Sequence, residues 1–281
     1  MKKITFWLIV LTSILSASTF SGCKKVWDYV KQHPDGTASN CSIERVTFSF
    51  FPEYSLPSEG DKPLNDTLNI TYNTEGNPVS MKYTSSRYPE IDPVDVFSSD
   101  HLLRYDSKNR LVVFLQNVSD NVRSDWAVCI LWHKYTYVNN NLITDSIFPY
   151  GSGNYLVSDR PEGGVAPYTI VEITLDNYGR IIKTSTWNTK DPARVEKAYT
   201  YDASGNLVKP GVTYSNKTNI KQTNKVWMFL AGDYSVNAPA GEALAYNSNN
   251  LPVLYRKRVP FFAEPYLTPD DSQAKIYYNC K

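Results

Sequence analysis

Catalysis near neutral pH relies on histidines, paired carboxylates or an activated nucleophile, and this 281-residue chain offers few of them. Its three histidines, His33, His101 and His133, are scattered through unrelated contexts. His133 follows Trp132 in an apolar run, where a satisfied strand residue is the simpler reading than a base. No Gly-x-Ser-x-Gly, His-Glu-x-x-His or phosphate loop occurs. No pair of histidines has the spacing of a zinc site, so neither metal nor cofactor is implied. Glu264, Asp270, Asp271, Asp176 and Asp202 could in principle supply two carboxylates to a glycosidic bond. Asp270 and Asp271 lie in a Pro-flanked loop, however, and Asp106, Asp176 and Asp202 stand where turns need an acceptor. Asp202-Ala203-Ser204-Gly205-Asn206 could offer oxygens to calcium, but lacks the further acidic ligands of an EF-hand loop. The chain is therefore expected not to be an enzyme.

Binding chemistry is better represented. Phe148 to Tyr155 places Tyr150 and Tyr155 among Pro149, Gly151 and Gly153, and Pro260 to Tyr266 does the same for Phe261, Phe262 and Tyr266. Trp187, in Thr186-Trp187-Asn188, is a third candidate. Aromatics on loops present area at low entropic cost to sugars or protein surfaces. The alternative is that Phe261, Phe262 and Tyr266 plug one end of the folded sheet.

The elements that must position these groups follow from a pattern recurring about six times, clearest in Tyr199 to Leu207. It reads apolar-x-Tyr-Asp-x-x-Gly-Arg/Asn-Leu. The other copies start at Ile70, Leu103, Tyr135, Ile173 and Leu244. Apolar and polar residues alternate before each turn, as in Ile173-Thr174-Leu175, which puts the apolar set on one face of a strand. Gly76, Asn109, Asn141, Gly179, Gly205 and Asn250 then supply residue types that tolerate the left-handed conformation closing a type I turn with a G1 bulge. One hairpin alone is marginal in water, so the copies must pair into a larger sheet.

The first residues read as a targeting segment. Lys2 and Lys3 precede an apolar run from Ile4 to Leu15, shorter than the roughly 20 residues that span a bilayer. Phe20-Ser21-Gly22-Cys23 resembles a bacterial lipobox, which implies lipidation of Cys23. Without Lys2 and Lys3 the 29 basic residues become 27 against 28 acidic ones, so no charge excess points to nucleic acid. Of the later cysteines, Cys41 opens the first strand and Cys280 ends the last, and a bridge between them would clamp the termini. Cys129, within Val128-Cys129-Ile130-Leu131, reads as buried core.

Tyr-Asp-x-x-Gly-Arg/Asn-Leu resembles the YD repeat of RHS-type proteins in degenerate copies, with Val138 and Leu175 as departures. Combined with the lipobox, the chain resembles uncharacterised Bacteroidetes-type lipoproteins with a porin-like repeat domain. The likeness covers about residues 70 to 255 and implies no catalytic residues.

The expected fold is all-β: an antiparallel sheet of successive hairpins rolled into a barrel-like or open structure. Residues 1–22 are expected as signal peptide, 23–40 as lipidated Cys and tether, and 41–281 as a single β-repeat domain. Val226 to Leu230 is expected as a strand, Phe148 to Pro167 as the longest irregular loop, and no helix of useful length is expected. A membrane-spanning barrel is disfavoured because the chain ends without a terminal aromatic. The functional expectation is a lipid-anchored envelope module that binds a glycan, peptide or partner protein. A polysaccharide hydrolase or a purely structural lipoprotein are the alternatives. Lys24-Lys25-Val26-Trp27 has no acidic run after Cys23, which favours the periplasmic side of the outer membrane over the cell surface.

Overall fold

A computed structural model describes residues 41–50, 64–84, 97–119, 126–164, 166–256 and 273–280. Ten strands follow one another as an antiparallel meander: β1 (Cys41–Phe50), β2 (Leu64–Tyr72), β3 (Pro78–Tyr83), β4 (Phe97–Tyr105), β5 (Leu111–Ser119), β6 (Trp126–Asn139), β7 (Leu142–Asn154), β8 (Thr169–Leu175), β9 (Ile181–Asn188) and β10 (Val195–Ala198). A ribbon of β11 (Tyr214–Thr218) and β12 (Asn237–Pro239) stands apart from them. The chain then returns through β13 (Ala243–Tyr246) and β14 (Pro252–Arg256) to β15 (Gln273–Cys280), which pairs with the free side of β1. The result is one 13-stranded sheet whose edges are β10 and β13. Those edges do not pair among the described residues, so the sheet is not a closed barrel. A disulfide joins Cys41 to Cys280 at facing register positions of β1 and β15, and Cys129 is free and buried.

Between β11 and β12 runs a 3-10 turn, Ile220–Thr223, and one α-helix, α1 (Lys225–Ala231). The strand expected at Val226–Leu230 is therefore a helix, of two turns. Val226-Trp227-Met228-Phe229-Leu230 is apolar throughout, and such a run carries no period that separates strand from helix. The deciding signals flank it. Asn224 Oδ1 accepts from Val226 N–H at 2.9 Å, and Gly232, left-handed at φ 58°, ends the helix.

The sheet carries a core on each face. On the first face, Ile43, Val46, Leu68, Ile70, Met81, Leu103, Phe114, Ile143, Ile181 and Ile276 pack with Trp227 and Met228 of α1. On the second face, Leu102, Val113, Leu115, Val118, Ala127, Cys129, Trp132 and Phe148 form a smaller cluster confined to β4–β7. The inward set changes parity along two of these strands, from Leu115 to Val118 and from Cys129 to Trp132. Beside this change, between the pairs Cys129↔Gly151 and Leu131↔Pro149, β7 carries Tyr150 at φ 53°. A left-handed aromatic residue within a strand is a marked backbone outlier.

The loop expected over Phe148 to Pro167 is shorter, because β7 continues to Asn154. Gly151 and Gly153 serve close approach, not chain reversal. A Cβ on Gly151 would come 2.7 Å from Pro161 Cγ and 3.1 Å from Trp132 Cβ. The segment after Asn154 folds back here, with Glu162 N–H donating to Ser152 O at 2.7 Å.

Five of the six turn residues named from sequence, Gly76, Asn109, Gly179, Gly205 and Asn250, have positive φ, from 58° to 81°. Asn141 does not and is corrected. Val138 stands where the other copies have Asp or Asn or, at 176, an Asp after Leu175, so no side chain accepts the turn amides from that position. Asn139 does so instead, Oδ1 accepting from Asn141 N–H at 2.8 Å, and Asn139 pairs with Leu142. The Asn141 side chain reaches sideways to Leu175 O at 3.1 Å.

Candidate functional site

The hairpin corners explain why the pattern needs its Tyr, Asp and Arg together. Asp106 Oδ1 accepts the N–H groups of Lys108 and Arg110, both at 2.9 Å. Its Oδ2 accepts from Arg110 Nε at 2.8 Å and Nη2 at 2.7 Å. The guanidinium so fixed lies 4.2 Å from the ring centre of Tyr137, the tyrosine of the next corner. Tyr137 O–H in turn donates to Leu111 O at 3.1 Å. Asp176, Arg180, Tyr201 and Ile181 repeat the arrangement, with the guanidinium 4.3 Å from the Tyr201 ring and Tyr201 O–H donating to Ile181 O at 3.0 Å. Tyr72 bonds Ile43 O at 2.8 Å, Tyr105 bonds Pro78 O at 2.6 Å, and Tyr278 bonds Pro252 O at 2.6 Å. Each hydroxyl therefore ties its hairpin to the one before it. Asp106 and Asp176 are committed to structure, and no cluster of three or more potential metal ligands occurs among the described residues.

A cleft of about 760 Å³ opens on the second face, near the first two of these corners. Ser80 and Lys82 of β3 and Leu102 and Arg104 of β4 form its floor, since these positions face away from Met81 and Leu103 on the first face. Asn73, Glu75, Ser107 and Asn109 come from the corners, and Tyr155 and Leu156 from the segment after β7. That segment is pinned from below. Arg104 Nη2 donates to Ser158 O at 2.8 Å, Trp132 Nε1 to Asp159 O at 3.3 Å, and Lys134 pairs with the Asp159 carboxylate at 2.6 Å. Burial lowers the pKa of Arg104, offset in part by Asp159, and its Nε is buried with no hydrogen-bond partner. Lys82 is exposed and forms no ion pair among the described residues.

Of the aromatics named from sequence, the structure brings only Tyr155 to this cleft. Tyr150 is 73 % exposed but does not line it. Trp187 is half-buried under Arg194, 3.9 Å from its ring, and Arg194 is held by Glu172 at 2.6 Å. Phe261, Phe262 and Tyr266 lie outside the described residues, as do Cys23, His33, Glu264, Asp270 and Asp271. Lys82 and Arg104 escaped the sequence reading because a cation at the polar positions of an amphipathic strand looks like any wet-face residue.

Two further polar groups sit inside the protein. His133 Nδ1 bonds Asp145 Oδ2 at 2.9 Å, with the imidazole ring between Phe114 and Tyr135. His101, also buried, packs on Phe114; burial and then the neighbouring His133 lower its pKa to about 4. Neither histidine lines the cleft, so neither can reach a ligand there. Near the ribbon, Asp233 binds Lys209 at 2.8 Å and Lys221 at 2.9 Å. Burial alone would raise that carboxyl, but Lys221, Lys209 and Ser235 outweigh it and hold the pKa well below the ordinary range. The Cys129 thiol is pushed up to about 12 by burial and is not a nucleophile at neutral pH.

No family model matches the chain, and no curated protein matches it. Among solved structures the chain is similar to a porin-like protein from Bacteroides uniformis ATCC 8492, at 10 % identity and a TM-score of 0.33, over 84 % of this chain and 98 % of that one. A likeness that weak carries no argument about fold or function.

Proposed function

We propose that the protein is a lipid-anchored envelope protein of the outer membrane, periplasmic in orientation, that binds rather than converts its ligand. The observation that carries the binding reading is the cleft: a concave site with Lys82 in no ion pair among the described residues, Tyr155 in its wall and a floor braced by Arg104. The anchor rests on Lys2, Lys3, the apolar run and Cys23. A binding role is favoured over hydrolysis because Asp106, the aspartate lining the cleft, is consumed by its corner.

We also read the sheet as an open roll of successive hairpins with YD-like corners. The nine residues from Asn224 to Gly232 touch Gly76 O at 2.9 Å, the Tyr135 ring at 5.2 Å through Phe229, and Tyr199 within 3.8 Å of a Cβ built on Gly232. The seven residues of α1 cover about 10 Å, and its two capping residues extend that only slightly. In a flat sheet, β2 and β10 would lie about 40 Å apart. Contacts beside both ends of that span support a curved sheet.

The test uses full-length protein in detergent, screened by glycan array and by pull-down from envelope extract. Binding should fall at least tenfold in the double variant Lys82→Ala, Tyr155→Ala while circular dichroism is unchanged; unaltered capture would remove the cleft as the site. Cys23→Ser should abolish labelling by radioactive palmitate and release the protein from membranes. Protease shaving of whole cells should leave it intact; cleavage would place it on the surface.

A further inference from the structure

We infer that the cleft takes an acidic oligosaccharide, with a sugar carboxylate facing Lys82 and Arg104 and a ring face against Tyr155. This rests on the cleft reading above and adds the chemistry of the ligand. The charges decide it. Asp106 is neutralised by Arg110 at 2.7 Å and accepts two backbone amides as well. Asp159, the carboxylate that acts on Arg104, is already taken by Lys134 at 2.6 Å. Among the described residues Glu75 is then the one lining carboxylate without a cation, and it accepts from Thr74 Oγ1 at 2.8 Å. Against it stand Lys82 and Arg104, which gives the described lining residues one positive charge in excess.

Arg104 is poorly compensated where it sits. Its Nη2 is spent on a neutral carbonyl, that of Ser158, and its Nε has no hydrogen-bond partner among the described residues. A half-buried cation whose hydrogen bond goes to a neutral oxygen gains from an anion arriving nearby, and a neutral ligand would leave that gain unrealised. The rest of the lining suits a saccharide. Asn73, Ser107 and Asn109 offer amides and a hydroxyl that can both donate and accept, as sugar hydroxyls require, and Tyr155, half-buried against the second-face core, adds aromatic surface. The volume, about 760 Å³, falls within the range of sites that enclose a ligand of a few rings.

Calorimetric titration of full-length protein in detergent would use three probes: tri-galacturonic acid, its neutral methyl ester, and a tri-aspartate peptide. The acid should bind at least tenfold more tightly than the ester at low salt. Lys82→Gln, at an exposed position, should erase that difference, and Tyr155→Ala should weaken both sugars alike. Equal binding of acid and ester, with Lys82→Gln silent and Tyr155→Ala impaired, overturns the acidic ligand and leaves the cleft as a neutral-sugar site. Preference for tri-aspartate overturns the saccharide. Failure of all three probes to bind overturns both this inference and the cleft reading.

Discussion

The two faces of the sheet are stabilised in different ways. The first face gathers apolar residues from nearly every strand of the meander around Trp227 and Met228, both almost fully buried. The second face has a cluster drawn from β4–β7 alone, and its cover is held largely by polar contacts: Arg104 to Ser158, Trp132 to Asp159, Lys134 to Asp159. Burial shared across a whole sheet is cooperative, so damage to it unfolds everything. A local cluster under a pinned loop can change without loss of the fold, and the cleft lies on that side.

The sharpest way to break this contrast is at the helix. Trp227→Ala should cost about 4 kcal/mol and lower the denaturant midpoint of the whole protein, because it hollows the shared core. A transition that stays put, with only local signals altered, would show that α1 is an accessory.

Next in size is a pH effect confined to the first face. The lowered pKa of His101, about 4 against an ordinary 6.5, means the unfolded chain binds the proton more readily. Stability from this group is complete above about pH 6.5 and falls as pH drops towards 4, by about 3 kcal/mol in all. Unfolding curves at pH 7 and pH 4.5 should show the loss, and His101→Gln should flatten the part that His101 contributes. An unchanged slope in that variant would assign the acid sensitivity elsewhere.

On the second face, Gly151→Ala sets a methyl against Pro161 and Trp132. It should cost about 2 kcal/mol, raise hydrogen exchange in residues 155–164 and weaken cleft binding, while exchange in β1–β3 stays as it was. Equal loosening of both faces would mean that the two cores are one cooperative unit. The smallest effect belongs to the corners that join the faces. Tyr105→Phe removes the hydroxyl bond to Pro78 O and should cost about 1 kcal/mol in thermal or denaturant unfolding. No change would demote the tyrosine ladder to packing alone.

The strands and corners were largely legible because their information is local. Alternation in Ile173-Thr174-Leu175 sets a face, and Asp106 reaches amides only two and four residues away. Where local signals were ambiguous the reading failed. Gly151 and Gly153 suggested a loop, because nothing nearby in sequence announces that Pro161 and Glu162 press on that backbone. The cleft was least legible: Tyr155 was named, but Lys82 and Arg104 have no local mark of function.

The amino-acid sequence alone determined the all-β character and most of the turn positions, since each follows from residue type and short spacing. Tertiary structure decided which apolar run became a helix, which aromatic lined a cleft and which cations gathered in it. Those outcomes depend on what packs against a residue from far along the chain, and contacts of that kind leave no periodic trace.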